Sequence, residues 1–131
     1  PGVEAHVGGE RYCNFVKQSL AAENELVHKL TNVETEELVG FNTCRVLNEQ
    51  QVLLLIAGVK KAYKSSGLGT VLNYFVFNDF LDRGLRRVRT HQSGRNYPIL
   101  NVEVGYFGFR VVQTFVVLRK DYDPNGDASA P

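Results

Sequence analysis

A glycine-containing loop rich in lysine and serine is the segment of this sequence best suited to chemistry. This glycine loop, residues 60–69, follows the apolar run 52–59 and opens onto a helical pattern. Free N–H groups and the positive dipole end of a helix start form an anion site, which glycines let a bulky phosphate approach. The alternative is that Ser65 or Ser66 simply caps the helix. The spacing matches neither GxxxxGK[ST] nor GxGxxG, which disfavours the two common nucleotide loops.

Hydrophobic periodicity predicts the elements that position the loop. Apolar residues recur at helical spacing in two stretches, and short apolar or β-branched runs between polar turns indicate strands. This pattern is typical of an α/β or α+β sheet with helices on its faces. The predicted elements are a helix at 9–22, a strand hairpin at 25–31 and 37–47, a strand at 52–59, a helix at 67–84, a strand at 86–90, a short helix from about residue 96 and a strand at 109–119.

Finer features of these elements are also predicted. The apolar run 52–59 indicates a central strand covered on both faces, with a bulge or a close backbone approach near Gly58. Gly84 stands where the second helix should end. Each helix is expected to bury one apolar face. These faces are Tyr12, Phe15, Val16 and Leu20 in the first helix, and Leu68, Val71, Leu72, Phe75 and Val76 in the second.

Composition excludes several classes of protein. The 15 Lys and Arg nearly balance the 14 Asp and Glu, which argues against binding to nucleic acid. No apolar run is long enough to span a membrane, and the scattered His and Cys lack metal-ligand spacing. Cys13 and Cys44 indicate reduced thiols in a cytoplasmic protein, with a single disulfide between them as the alternative. The 131 residues suit one domain, with a lead-in at 1–9 and a polar tail at 121–131 expected to be flexible.

The stretch Lys64-Ser-Ser-Gly-Leu-Gly69 resembles the (Arg/Gln)-x-x-Gly-x-(Gly/Ala) acyl-CoA loop of the GCN5-related N-acetyltransferases, with Lys at its first position. An apolar strand precedes the loop, and a helix and the strand-like Arg87–Thr90 follow. Asn96 leading to Gly108-Phe109 is similar to the family's N…GF ending. The resemblance covers about residues 37–120 and implies a mixed central sheet with flanking helices. The family's first strand and helix have no counterpart, which suggests a C-terminal piece of a longer protein or a strand borrowed from a partner.

The resemblance implies that acetyl-CoA is the co-substrate and that no metal is needed. A strand edge would pair with the pantetheine amides and offer an N–H to the thioester oxygen. Loop amides would bind the pyrophosphate, and Asn96 or Asn101 would hold the pantetheine arm. The strand-edge residues are Ala57, Gly58 and Val59, and the loop residues are Lys64, Ser65, Ser66, Gly67, Leu68, Gly69 and Thr70.

The acceptor would be a small-molecule primary amine. Residues 12–19 and the Thr90…Asn96 stretch are similar to the branch that acetylates amino groups on nucleotide-linked sugars. A lysine-like amine has a pKa near ~10.4, so a carboxylate or desolvation must remove its proton before attack. The candidates are Glu36, Glu37 and Asn42, for which the simpler interpretation is that they are ordinary turn and strand residues.

The resemblance also implies a tyrosine late in the short helix that gives a proton to the departing thiolate. The family's acidic tyrosine falls near Glu103–Val104, and the spacing from Asn96 to Gly108 is one residue longer than usual. Tyr106 is therefore preferred to Tyr97, although it could be an ordinary aromatic. Two other functions stay open. One is a CoA-binding protein of this fold without catalysis, and the other is a structural domain that forms a homodimer through a sheet edge.

Overall fold

The computed structural model describes residues 5–118 and the side chains from residue 13 onwards. The chain divides after Asn96 into two compact units. Its mixture of helices and strands confirms the α+β class. The elements are α1 (Ala5–Ala21), β1 (Glu25–Thr31), β2 (Leu38–Asn48), β3 (Gln51–Val59), a 3₁₀ turn (Lys61–Tyr63), α2 (Leu68–Asp82), β4 (Arg87–Arg89), α3 (Tyr97–Asn101) and a π-helical segment (Val102–Tyr106).

The strands form a mixed sheet in the order β1-β2-β3-β4. β1, β2 and β3 are antiparallel neighbours, and β4 runs parallel to β3. The turn between β1 and β2 closes because Asn32 Oδ1 accepts the N–H groups of Glu34 and Thr35 at 2.8 and 3.1 Å. β3 therefore lies inside the sheet, as its apolar sequence predicts.

Helix α2 packs on one face of this sheet and closes the core. The helix ends as predicted at Gly84, whose φ of +83° only glycine adopts readily. The N–H of Gly84 donates to Leu81 O at 3.0 Å, and that of Leu85 donates to Phe80 O at 2.9 Å. This Schellman pattern turns the chain so that Leu85 joins Phe80 in the core. The buried cluster is Cys44, Val52, Leu54, Leu72, Val76, Phe80 and Leu85.

The predicted apolar faces of both helices are partly wrong. In α2, Val71 and Phe75 are exposed, whereas Asn73 and Phe80 are buried beside Leu72 and Val76. The helix is apolar on most sides, so periodicity alone does not select the buried face. In α1 the inward positions are Phe15, Val16 and Ser19, and Leu20 is exposed because it lies about 100° further round the helix.

Strand β3 departs from the expected double-sided burial. Val52 and Leu54 are buried toward α2, but Leu53 and Leu55 are only half-buried. The predicted bulge exists at a different residue. Thr43 pairs with Ile56 while Cys44 pairs with Leu54, so Leu55 is the extra residue opposite β2.

The strand predicted at 109–119 is wrong for its described part. Residues 109–118 contain no strand, and the valines within them are exposed. No strand of the described sheet pairs with this segment, and a strand is defined by hydrogen bonds to a neighbouring strand that its own sequence cannot supply. At the other end, α1 already includes residues 5–9 of the predicted lead-in. Residues 1–4 and the tail 121–131 lie outside the described residues.

No helix within the described residues has the length and apolarity needed to cross a membrane.

Candidate functional site

The sheet opens between β3 and β4 close to the glycine loop. β4 pairs only with Gln51–Leu53, whereas β3 continues to Val59. The free edge, defined as the β4-facing backbone of Leu54–Val59, has no neighbour among the strands of the described sheet. Lys60 donates its N–H to Val39 O in β2 at 2.8 Å. Because backbone groups alternate in direction along an antiparallel strand, the N–H groups of Ala57 and Val59 point away from β2, toward this edge.

Gly40 in β2 supports the backbone behind the free edge. A Cβ atom on Gly40 would lie 2.8 Å from Gly58 O and 3.0 Å from Val59 Cγ1, so only glycine fits there. A Cβ atom on Gly58 would meet Phe41 Cε1 at an ordinary 3.8 Å. The close backbone approach expected near Gly58 therefore occurs, but the residue that must lack a side chain is Gly40. A glycine in the middle of a predicted strand is the sequence feature that indicates such an approach.

The glycine loop joins β3 to α2 through the 3₁₀ turn and two residues of left-handed backbone. These are Ser65, with φ +64°, and Gly67, with φ +81°. Gly67 is the N-cap of α2 and makes no side-chain cap. Ser66 Oγ instead donates to Tyr63 O at 2.5 Å and accepts the Leu68 N–H at 3.4 Å. The alternative that Ser65 or Ser66 is the N-cap of this helix is therefore wrong, because the N-cap is Gly67.

Several amides of the loop are left available. The N–H groups of Ser66 and Thr70 are used within the loop, at 3.2 and 3.0 Å. The hydrogen bonds in the described part of the chain include no acceptor for the N–H groups of Ser65, Gly67 and Gly69. Cβ atoms on the two glycines would meet nothing within 4 Å. The loop thus presents free donors at the positive end of a helix, with open space in front of them.

The charges beside the loop are partly paired. Lys60 Nζ contacts Glu37 Oε1 at 2.7 Å, and Tyr63 Oη donates to Glu37 Oε2 at 3.4 Å. The hydrogen bond from Lys60, together with its positive charge, holds the pKa of Glu37 below its ordinary value. Lys61 and Lys64 are exposed. The loop therefore keeps exposed positive charge, and Glu37 is a weakened base.

Asn42 lies one strand away from the free edge, paired in register with Ala57. Its side chain is 1% exposed and donates Nδ2–H to Asn73 Oδ1 of α2 at 3.5 Å. Its own Oδ1 is buried without a hydrogen-bond partner among the described residues. Asn42 therefore joins the sheet to the helix that begins at the glycine loop.

The remaining predicted site residues lie further along the chain. Asn96 is exposed, and its N–H donates to Ser93 O at 2.9 Å. Tyr106 ends the π-helical segment and is 70% exposed, with its ring edge-to-face on Phe107 at 5.0 Å. Glu103, near the position of the family's tyrosine, is 3% exposed. Such π-helical turns are frequent at functional sites.

A cluster of three charged or titratable side chains, His28, Asp79 and Arg83, could not be predicted from the sequence. His28 Nε2 donates to Asp79 Oδ2 at 2.9 Å, and Arg83 Nε donates to the same oxygen at 2.7 Å. Partial burial raises the pKa of Asp79, but the hydrogen bonds from His28 and Arg83 outweigh it and hold the pKa below its ordinary value. His28 is 51 residues away from Asp79, a separation that spacing rules do not reach. The group ties β1 to the end of α2.

No protein-family model matches the chain. No curated protein matches it either.

Solved structures do match, at low sequence identity. A probable acetyltransferase shares 16% identity with a TM-score of 0.68, covering 86% of this chain and 80% of its own. AAC(6′)-Iy, in complex with a CoA-S-monomethyl-acetylneamine bisubstrate analogue, shares 17% with a TM-score of 0.63, covering 93% and 84%. A GNAT family acetyltransferase from Elizabethkingia anophelis with acetyl-CoA bound shares 13% with a TM-score of 0.66, covering 76% and 62%. The chain therefore has the fold of the GNAT acetyltransferases.

Proposed function

We propose that this protein is an N-acetyltransferase that transfers the acetyl group of acetyl-CoA to a small-molecule primary amine. The observation that carries the proposal is the continuity of the free edge and the glycine loop. A single stretch, from Leu54 to Gly69, first offers strand N–H groups without a neighbouring strand and then amides without acceptors at a helix start. An extended amide chain that ends in a pyrophosphate matches these two features in order.

The residues present fit the pyrophosphate and pantetheine parts of CoA. The N–H groups of Ser65, Gly67 and Gly69 would donate to phosphate oxygens, and Lys64 would add charge beside them. Ala57 and Val59 would pair with the pantetheine amides, as a strand pairs with a sheet edge. Gly58, Ser66, Leu68 and Thr70 would shape this path, and Asn96 would hold the pantetheine arm.

For this reaction the protein mainly has to hold the amine nitrogen next to the thioester carbon. The nitrogen of a neutral amine attacks the thioester carbon, the new C–N bond forms and the C–S bond breaks. An N–H at the free edge would stabilise the negative charge that develops on the carbonyl oxygen. The amine loses a proton to water or to a carboxylate, and the thiolate takes one, for which Tyr106 is the proposed donor.

An amino sugar, including one carried on a nucleotide, is the proposed acceptor. The similarity of residues 12–19 to the sugar-nucleotide branch supports it. So does the fold shared with an aminoglycoside N-acetyltransferase solved with CoA. Glu37 is exposed beside the loop and would bind the acceptor. Asn42 is buried against α2, so it would act on the acceptor site only indirectly, by holding β2 to the helix that begins at the glycine loop.

A second function is favoured by one observation. A buried glutamate, Glu103, stands near the place of the family's tyrosine, and Tyr106 is exposed. The alternative is therefore a CoA-binding protein without catalysis, or a structural domain. For either function we propose a cytoplasmic protein that forms a homodimer through strand pairing.

The test is a thermal-shift titration with acetyl-CoA, CoA and dephospho-CoA. A ligand that binds only the folded state adds about 2.7 kcal/mol at a hundredfold excess over its Kd. We expect a rise in Tm with all three, because the pyrophosphate is common to them. No shift with any would reject the CoA site.

Catalysis is tested separately by thiol release from acetyl-CoA with a panel of amines. We expect turnover with amino sugars and a lower kcat in Tyr106→Phe, with Tyr97→Phe as the matched control. Binding without turnover on any amine would select the non-catalytic alternative.

A further inference from the structure

The hydroxyl group of Ser66 bridges two parts of the glycine loop. Its oxygen donates its proton to Tyr63 O at 2.5 Å and accepts the N–H of Leu68 at 3.4 Å. The backbone N–H of Ser66 donates to the same Tyr63 O, at 3.2 Å. A hydroxyl that gives its one proton to a carbonyl and accepts an amide has a fixed orientation. Ser66 therefore links the end of the 3₁₀ turn to the first residue of α2.

The four residues from Tyr63 to Ser66 have the shape of a type II β-turn. Lys64, at the second position, has φ −60° and ψ 136°, and Ser65, at the third position, has φ +64°. The third position of such a turn favours glycine, yet a serine occupies it here. A left-handed backbone is unfavourable for a residue with a Cβ atom, so the surrounding contacts must hold it. The two hydrogen bonds from Ser66 to Tyr63 O are the contacts that close this turn.

Two of the available amides lie inside the segment that the Ser66 hydroxyl closes. They are the N–H groups of Ser65 and Gly67, the residues on either side of Ser66, which have no acceptor in the described part of the chain. Both residues have a positive φ, +64° and +81°. Neighbouring amides in a turn of this kind can converge on one anion, and the backbone angles set where they point. A group that fixes the backbone around Ser66 therefore fixes the direction of both amides.

The same hydrogen bonds remove Ser66 from the groups that could bind a phosphate directly. Its hydroxyl proton and its N–H are both donated to Tyr63 O, so neither donor is left for a ligand. Ser66 is also exposed, and water can replace its hydrogen bonds at little cost to the fold. Holding the neighbouring amides in place is the role that this geometry leaves to the side chain.

We propose that the Ser66 hydroxyl is the positioning group of the glycine loop, and that it holds the amides of Ser65 and Gly67 in the arrangement that receives the pyrophosphate of acetyl-CoA. The inference rests on the proposed function and adds to it a residue that acts on the ligand only through the backbone. Without the hydroxyl, only a fraction of the molecules would have the loop in this arrangement. The apparent Kd would rise by the inverse of that fraction.

Calorimetric titration with acetyl-CoA tests the effect on binding. We expect Ser66→Ala to raise the Kd about fivefold to tenfold, which is the effect of losing one ordinary hydrogen bond. Ser66→Thr keeps the hydroxyl and should restore the Kd of the wild type. Ser93→Ala is the matched control, because Ser93 Oγ accepts the N–H of Arg95 at 3.3 Å in another exposed loop. Without ligand, Ser66→Ala and Ser93→Ala should have the same Tm.

Amide hydrogen exchange tests the positioning without any ligand. In Ser66→Ala the N–H of Leu68 loses its acceptor, and we expect it to exchange faster than in the wild type. The N–H of Gly84, which donates to Leu81 O at the other end of α2, should exchange at an unchanged rate. Ser66→Thr should return the exchange of the Leu68 amide to that of the wild type.

The inference is overturned if Ser66→Ala binds acetyl-CoA as tightly as the wild type, or if Ser66→Thr binds as weakly as Ser66→Ala. A lower Tm in Ser66→Ala than in Ser93→Ala would also overturn it, because the hydroxyl would then stabilise the fold as a whole. Failure of the proposed function gives a different result, in which the wild-type chain itself does not bind acetyl-CoA. The exchange of the Leu68 amide still decides in that case whether the hydroxyl holds the loop.

Discussion

The carbonyl oxygen of Gly58 lies 2.8 Å from the position that a Cβ atom on Gly40 would occupy. This proximity joins β2 to β3 beside the residues whose N–H groups face the free edge. A side chain at position 40 would push Gly58 and Val59 outward, because the obstacle is backbone and does not rotate away. The position of the proposed oxyanion donor therefore depends on a glycine in the neighbouring strand.

Gly40→Ala should reduce both stability and ligand binding. Overpacking a well-packed site typically costs about 1–3 kcal/mol. We expect a loss of that size in the unfolding free energy by urea titration, together with weaker acetyl-CoA binding by calorimetry. Gly94→Ala is the matched control, because a Cβ atom there meets nothing within 4 Å. Equal stability of the two variants would contradict the close approach.

Gly69→Glu should change stability and binding in opposite directions. Its Cβ atom would enter open space at the start of α2. Replacing a helical glycine gains about 0.5–1 kcal/mol, and an acidic side chain at a helix N-terminus adds about 0.3–1 kcal/mol. The same carboxylate would repel a pyrophosphate. We expect a higher Tm without ligand and no acetyl-CoA shift, while Gly94→Glu keeps the shift. A retained shift in Gly69→Glu would remove the loop from the CoA site.

Acid should weaken the contact between β1 and α2 through Asp79. Its pKa is lower in the folded chain than in the unfolded one, so its contribution is complete above the ordinary value of about 3.9 and is lost as pH falls through the folded value. Asp79→Asn should cost on the order of 1 kcal/mol at neutral pH. The difference from wild type should shrink below pH ~4 in unfolding titrations. A difference independent of pH would show that the Asp79 charge does not stabilise the fold.

The two cysteines should differ sharply in reactivity. Burial raises the pKa of the Cys44 thiol to about 12, whereas Cys13 is exposed. The thiolate is the reactive form, so Cys44 is excluded as an acyl-carrying nucleophile near neutral pH. With Ellman's reagent we expect one thiol in the folded chain and two in guanidinium. Cys13→Ser should abolish the native reaction. Rapid labelling of Cys44 in that variant would contradict its burial.

Local patterns predicted much of the fold because their causes are local. The hairpin turn at Asn32, the helix end at Gly84 and the interior position of β3 each follow from a few neighbouring residues. The buried face of α2 does not, because the helix is apolar on most sides and its orientation depends on β2. The contact of Asn73 with Asn42 shows this dependence, since it joins residues 31 positions apart.

The candidate site was only partly visible in the sequence for the same reason. The loop and its glycines form a contiguous motif. The free edge depends on where β4 stops pairing, and the role of Gly40 depends on the neighbouring strand. The strand predicted at 109–119 had the right composition but lacked a neighbour, which composition cannot reveal.

The bulge at Leu55 reverses which positions of β3 face the helix. Before it, the even-numbered Val52 and Leu54 point to α2, and after it the odd-numbered Ala57 shares that side with Asn42. An unbroken apolar sequence conceals this change of phase. One strand thereby contains two segments: the first packs its side chains on α2, and the second has one backbone edge without a neighbouring strand in the described sheet. In a substitution scan of β3, we expect the alternation of sensitive and tolerant positions to shift by one residue at Leu55.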